Sequence, residues 1–212
     1  TRAALIENRG TAPLLLDRAL SLGLDFPSSE YDLYTFHGRH CRERMPQRTP
    51  LPHGKLRVDS LRGASSHQYN PFVILCDRDA TEDAGCCYGA SLVYSGSFLA
   101  QAEVDQTGST RLVMGIHPDT FRWALAPGET FPVPEVCLTF SGEGLTGLSQ
   151  RLHRAFRDHL CRGKYRAARR PVLINSWEAV YFDFDSDKLV EIARSAAPLG
   201  VELLVMDDGW FG

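Results

Sequence analysis

Two apolar runs near the end of the chain predict a pair of buried strands. Residues 171–175 (PVLIN) and 201–206 (VELLVM) lack the strict alternation of a half-exposed strand, and they fit strands that are covered on both faces. Between them, apolar side chains recur at helical spacing and form one stripe: Leu189, Ile192, Ala193, Ala196 and Leu199. Strand, helix and strand in this order indicate a βαβ unit with parallel strands, which occurs in barrels and in open sheets alike.

The predicted helix between residues 183 and 200 carries signals at both ends. Asp185 or Ser186 can cap its start, and Gly200 can close it in a left-handed conformation. Pro198 disfavours a regular last turn, so we expect the helix to end or kink near Ala197.

Two adjacent carboxylates, Asp207 and Asp208, follow the second predicted strand directly. In parallel α/β folds, and above all in (β/α)₈ barrels, this end of a strand holds ligands and catalytic groups. A solvated turn after a strand explains the same residues equally well from their position alone. A barrel needs about 250 residues, so we expect the chain to be a piece of a larger enzyme.

The first two thirds of the chain have the pattern of an all-β domain. Short apolar or alternating runs separated by turn residues predict strands at 71–76, 92–105 and 111–116, with a turn at residues 107–109. Residues 131–140 predict an edge strand broken at its start by prolines. Many strands with short turns favour a β-sandwich. Apolar residues on one face from Gly144 to about Leu160 predict a helix that packs on the sandwich or on the barrel.

Composition narrows the possible functions. The 23 basic and 26 acidic residues give a net charge of −3, which disfavours nucleic acid and anionic membranes as partners. No apolar run is long enough to cross a membrane as a helix. Six cysteines occur without metal-ligand spacing, and this pattern favours free thiols and a cytoplasmic location. No metal or nicotinamide site is visible, so we expect no cofactor.

Several motifs together resemble glycoside hydrolase family 36, the microbial retaining α-galactosidases. They are RPVLINSWEA at 170–179, YFDF at 181–184, MDDGWFG at 206–212, GASSHQYNPF at 63–72, the stretch from Tyr88 to Gln106, and HGRHCRER at 37–44. The resemblance implies an all-β supersandwich domain followed by the first βαβ unit of a truncated (β/α)₈ barrel. We assign residues 1–142 to the supersandwich, 143–170 to a connecting helix and basic linker, and 171–212 to the start of the barrel.

The resemblance also implies roles for particular residues. The family's nucleophile and acid/base are aspartates on later barrel strands, so no catalytic residue is expected before Gly212. Asp207 and Asp208 match the pair that binds galactose hydroxyls, and Trp177 matches a tryptophan at the end of the first barrel strand. His40 falls where relatives often carry a tryptophan that reaches the pocket edge. Trp177 as a core residue and His40 as a surface histidine are the competing interpretations.

The implied activity is hydrolysis of terminal α-D-galactosyl residues of oligosaccharides of the melibiose and raffinose type. The fragment itself is expected to be inactive, and the full-length protein is expected to be a homo-oligomer, a tetramer by resemblance. The alternatives are a non-catalytic fragment that binds sugar or only folds its β domain, and a family relative that acts as an α-N-acetylgalactosaminidase or a galactosyl transferase.

Overall fold

A computed structural model describes residues 1–211 of the 212-residue chain. The chain divides into two compact units, which we call the sandwich unit (Thr1–Ala155) and the C-terminal unit (from Phe156 onward). Each is described by itself.

The sandwich unit consists mainly of antiparallel strands. Their bounds are β1 (Arg2–Glu7), β2 (Leu14–Leu16), β3 (Leu20–Phe26), β4 (Tyr31–Arg39), β5 (Arg42–Pro50), β6 (Gly54–Ser60), β7 (Phe72–Asp77), β8 (Cys87–Leu92), β9 (Phe98–Val104), β10 (Thr110–Ile116), β11 (Trp123–Leu125) and β12 (Thr130–Ser141). A six-stranded sheet has the order β1-β12-β8-β7-β4-β5, and a four-stranded sheet has the order β3-β10-β9-β6. Strands β2 and β11 form a separate two-stranded ribbon.

The core of this unit is built from side chains that alternate along the strands. On β7, Val73 and Leu75 are fully buried, and on β9 the buried set includes Phe98, Ala100 and Ala102. Because strand side chains alternate between faces, this spacing of two assigns one face of each sheet to a shared core. The all-β prediction is confirmed.

Two strand predictions were wrong in detail. Residues 92–105 do not form one strand, because β8 ends at Leu92 and β9 begins only at Phe98. Strand β12 is not an edge strand, because it pairs with β8 on one side and with β1 on the other. The proline-containing part of β12 lies opposite β1, whose register shifts between Arg2 and Ala4. Where the partner strand is irregular, fewer backbone N–H groups take part in strand pairing. Prolines, which lack this group, are therefore tolerated there.

The helix α1 (Gly144–Ala155) packs on the sandwich, which is one of the two arrangements predicted for it. Its first N–H groups, those of Gly144, Leu145 and Thr146, donate to the carbonyls of Gly85, Thr81 and Glu82. Leu148 is buried, and a Cβ atom added to Gly89 would lie 3.3 Å from its methyl carbons. The α-helix ends at Ala155, and a π-helical turn, Phe156–Leu160, follows it.

The loop that receives α1 is held from the other side by Arg48. The guanidinium of Arg48 donates to Asp32 Oδ2 at 2.5 Å and to the carbonyls of Ala80, Asp77 and Arg78 at 2.7, 3.1 and 2.8 Å. Burial alone lowers the pKa of Arg48, but its hydrogen bonds to Asp32 and Tyr34 and the nearby negative charge together outweigh burial, and the net shift is upward. The pair is largely shielded from solvent, with side-chain exposures of 28% for Arg48 and 9% for Asp32.

We expect Arg48→Met to destabilise the sandwich unit by about 3 kcal/mol, because it leaves a buried carboxylate and three loop carbonyls without their donor. The control is Arg111→Met, which breaks an ion pair with Asp25 whose side chains are 64% and 63% exposed. Such surface pairs contribute about 0–1 kcal/mol. Urea unfolding followed by circular dichroism measures both variants, and equal losses of stability would contradict the role of Arg48.

The C-terminal unit contains the predicted βαβ unit. Strand β13 (Leu173–Asn175) and strand β14 (Leu203–Val205) are parallel, and α3 (Ser186–Ala196) connects them. The Asp185 side chain accepts the backbone N–H of Lys188, the α-helix gives way to a 3₁₀ turn at Ala197–Leu199, and Gly200 closes it at φ 88°. These three predictions about the helix ends are confirmed. A short helix, α2 (Trp177–Val180), lies between β13 and α3, where the sequence pattern predicted no helix.

All six cysteines carry free thiols. Burial raises the pKa of the Cys76 thiol to about 12. Within residues 1–211 we find no helix with the length and apolar character that a membrane crossing requires.

Candidate sugar-binding site

The candidate site lies at the carboxyl ends of β13 and β14. Asn175 lies opposite Val205 in the parallel register, so the residues that follow each strand emerge at the same edge. This edge brings together Asn175, Ser176 and Trp177 from the first strand with Asp207 and Asp208 from the second. Three of the four predicted site residues, Trp177, Asp207 and Asp208, therefore lie on two short neighbouring segments.

Ser176 joins the two strand ends. Its backbone N–H donates to the Val205 carbonyl at 3.0 Å, and its hydroxyl oxygen accepts the backbone N–H of Asp207 at 3.3 Å. The residue is fully buried, with 0% exposure. The backbone at Asp207 is therefore fixed to the end of the neighbouring strand.

Asn175 holds the side chain of Asp207. Its amide nitrogen Nδ2 donates to Asp207 Oδ2 at 2.7 Å, and its amide oxygen Oδ1 accepts the backbone N–H of Trp177 at 2.8 Å. One side chain thus connects two of the predicted site residues. Asp207 remains exposed, so its other carboxylate oxygen is open to a ligand.

Asp208 is half-buried and lies at the start of a tight turn. Its Oδ1 accepts the backbone N–H of Gly209 at 3.1 Å. Gly209 has φ 93°, and a Cβ atom there would lie 3.1 Å from Phe182 and 3.2 Å from Phe184. The positive φ favours glycine, and a side chain there would also press on the two phenylalanine rings, which explains the glycine after the two aspartates.

Trp177 is half-buried at the start of α2 and packs in an aromatic group. Its ring makes edge-to-face contacts with Tyr181 and Phe182, with centroid distances of 5.2 and 4.9 Å. Tyr181 has φ 48°, which is uncommon for a residue with a side chain. The Tyr181 hydroxyl donates to Glu178 at 3.3 Å. The Trp177 side chain is therefore packed against aromatic rings on one side and is partly exposed to solvent elsewhere.

The opposite ends of the two strands are fixed by a separate contact. The carboxylate of Glu202 accepts the backbone N–H of Val172 at 2.9 Å and pairs with Arg169. The Val172 N–H and the Arg169 guanidinium hold the pKa of Glu202 below its ordinary value. The basic stretch before the barrel thus contributes to strand packing through Arg169.

The fourth predicted site residue, His40, lies elsewhere. His40 belongs to the sandwich unit, where it is exposed in the turn between β4 and β5. The side-chain contact at that turn is local, with the Cys41 backbone N–H donating to Glu43 Oε1 at 3.0 Å. Trp210, which follows Gly209, is 70% exposed, and among the aromatic pairs of residues 1–211 its ring contacts only Phe211, edge-to-face.

Both units match known protein families. The model of the glycosyl hydrolase family 36 N-terminal domain matches residues 1–126. The chain belongs to glycoside hydrolase family 36. The melibiase family model matches residues 130–212, which include Trp177, Asp207 and Asp208. The chain therefore contains the family's N-terminal β domain and the start of its barrel domain.

Relatives within family 36 align with the whole chain. The α-galactosidase AgaA of Geobacillus stearothermophilus is 53% identical over 100% of this chain and 29% of its own length. The bifunctional α-galactosidase/sucrose kinase AgaSK of Mediterraneibacter gnavus is 52% identical over 100% of this chain and 23% of its own length. The crystal structure of AgaA superposes with a TM-score of 0.95, covering 98% of this chain and 29% of that one. The chain thus spans less than a third of the relatives it matches.

Sequence reasoning missed Asn175 and Ser176 as members of the site. Asn175 was assigned to the end of a strand, and neither residue was given a role. The available signal was their position, because polar residues at the carboxyl end of a buried strand face the same edge as Asp207.

Proposed function

We propose that the full-length protein containing this chain is a retaining α-galactosidase that hydrolyses terminal α-D-galactosyl residues of oligosaccharides. The observation that carries the proposal is the pair Asp207 and Asp208 at the end of β14, in a chain of family 36. Variants of the Geobacillus stearothermophilus relative have been crystallised with stachyose and with raffinose. These galactosides are the substrate class that we propose for this protein.

In this proposal the two carboxylates recognise the sugar and do not attack it. A charged carboxylate accepts hydroxyl hydrogen bonds that are stronger than neutral ones. We assign to Asp207 and Asp208 the axial 4-hydroxyl and the 6-hydroxyl of galactose. A site built to bond an axial hydroxyl rejects the epimer that lacks it, because its acceptors are then left without a partner.

Catalysis itself is proposed to come from two aspartates on later barrel strands, outside residues 1–212. A retaining glycosidase uses one carboxylate as nucleophile and one as acid/base, about 5–5.5 Å apart, and this chemistry requires no metal or organic cofactor. Trp177 supplies an apolar wall beside the sugar. For His40 we propose a place at the pocket edge, which stays a prediction.

The setting of the enzyme is also proposed. Free thiols favour a reducing compartment, so we place the protein in the cytoplasm and in carbohydrate metabolism. The full-length protein is proposed to be a homo-oligomer, a tetramer by family resemblance.

The test is an assay of the full-length protein with aryl α-galactoside, aryl α-N-acetylgalactosaminide and raffinose. We expect turnover of the galactoside and release of free galactose from raffinose. Faster turnover of the N-acetylgalactosaminide, or transfer of galactose to raffinose in place of release, would assign the protein to one of the alternative activities. Absence of turnover on all three would refute the proposal.

A further inference from the structure

The amide of Asn175 spans the two residues proposed to contact the sugar, Asp207 and Trp177. We propose that Asn175 is a positioning residue, which orients the Asp207 carboxylate and fixes the start of the segment carrying Trp177. The inference rests on the proposed function and adds to it a residue that sets the preference for galactosides.

The hydrogen bonds determine which way the Asn175 amide faces. The backbone N–H of Trp177 can only donate, so it requires the amide oxygen at 2.8 Å. An ionised carboxylate can only accept, so Asp207 Oδ2 requires the amide nitrogen at 2.7 Å. Because each partner can bond to only one end of the amide, the amide cannot rotate by 180° without losing both hydrogen bonds.

This arrangement removes most of the freedom of Asp207. Its backbone N–H is bound by Ser176, and one carboxylate oxygen is bound by Asn175. The second oxygen, Oδ1, is left for a ligand in a fixed direction. A preorganised acceptor does not have to be ordered when the sugar binds, so its hydrogen bond is stronger for a hydroxyl in the matching position.

Fixed direction is what separates epimers. Galactose and glucose differ in the direction of one hydroxyl, and a mobile carboxylate can follow either direction. A carboxylate held by Asn175 favours one hydroxyl geometry and leaves an acceptor without its partner in the other. Loss of Asn175 should therefore reduce the galactoside rate more than the glucoside rate.

The sharpest variant is Asn175→Asp in the full-length enzyme. It has nearly the same shape and keeps an oxygen for the Trp177 N–H, but it replaces the donor facing Asp207 with a second acceptor. We expect kcat/KM for an aryl α-galactoside to fall about ten-fold or more, the ratio of galactoside to glucoside kcat/KM to fall, and the thermal midpoint to stay close to wild type.

A double-mutant cycle with Asn175→Ala and Asp207→Ala tests whether Asn175 acts through Asp207. We expect Asn175→Ala to lower galactoside kcat/KM in the wild-type background and to have little further effect when Asp207 is already alanine. This coupling is measurable even if Asn175→Asp fails to fold, and a purely structural Asn175 would not produce it.

Three results would overturn the role of Asn175: wild-type kinetics in a folded Asn175→Asp, equal losses from Asn175→Ala in both Asp207 backgrounds, or an unchanged galactoside-to-glucoside ratio. A wild-type enzyme that is active and is impaired by Asp207→Ala, but not by changes at Asn175, refutes only the positioning role. A wild-type enzyme with no galactosidase activity refutes the proposed function, and the role of Asn175 with it.

Discussion

Asp208→Asn in the full-length enzyme is expected to lower kcat/KM for an aryl α-galactoside by about one to two powers of ten. The change keeps the size of the side chain and its oxygen, which can still accept the Gly209 N–H seen at 3.1 Å. It removes the charge that strengthens the bonds to sugar hydroxyls, a loss of about 1.5–3 kcal/mol. The turn at Gly209 should therefore persist while sugar recognition fails.

The division of this loss between kcat and KM reports when the bonds are made. If the hydrogen bonds to the sugar tighten as its ring flattens towards the oxocarbenium-like transition state, the variant has a lower kcat as well as a higher KM. The preference for α-galactosides over α-glucosides should narrow, because the axial hydroxyl is then less strictly required.

The matched control is Glu191→Gln, the same chemical change at an exposed position on α3. We expect wild-type kinetics from it, and circular dichroism checks the fold of both variants. A folded Asp208→Asn enzyme with unchanged galactoside kinetics would make Asp208 only a turn residue, and the assignment of the two aspartates to the sugar would be wrong.

The C-terminal unit was largely predictable because its signals are local. The cap at Asp185 and the left-handed Gly200 each depend on a few neighbouring residues, and the structure confirms them. Of the predicted apolar stripe, Ala196 is buried, whereas Leu199 lies beyond the end of α3 and is 84% exposed. The parallel pairing of β13 with β14 followed from the continuous apolar runs. Helix α2 was missed because four residues are too short for a recognisable period.

The fold class of the sandwich unit was predictable from the sequence, whereas the pairing of its strands was less so. The short apolar run at β7 and the partial alternation at β9 identify strands, but strand order is set by contacts distant in sequence, which such patterns do not record. Strand β12 illustrates this limit, since its prolines indicated an edge and an irregular β1 covers that edge instead. The break before β9 contains Gly96, where an added Cβ would lie 2.4 Å from the Tyr94 hydroxyl oxygen.

The candidate site was predictable through its charged residues and not through its neutral ones. Asp207 and Asp208 are conspicuous after an apolar run, whereas Asn175 is one of many polar residues that follow strands. Its role depends on the register that brings it opposite Val205 and within reach of Asp207. That register is a property of the folded pair of strands.

A polypeptide consisting of these 212 residues alone is expected to show no α-galactosidase turnover above background. Two-carboxylate catalysis requires a nucleophile and an acid/base on opposite sides of the bond. In the C-terminal unit, Asp207 is held by Asn175 and Asp208 by Gly209, and we assign both to recognition. The groups proposed to break the bond lie on later strands.

The control for this prediction is a demonstration that the polypeptide is folded where it can be. Leu173 and Leu203, which lie on the parallel strands, are 50% and 42% exposed within residues 1–211, although such strands are normally covered on both faces. We therefore expect limited proteolysis to cut rapidly beyond about residue 165 and to leave residues 20–140 intact, which also tests the proposed domain boundaries at 142 and 170. Equal protection of residues 171–212 would contradict this expectation. Galactoside turnover by the polypeptide that Asp208→Asn abolishes would show that the chain itself contains the catalytic groups, and would refute their assignment to later strands.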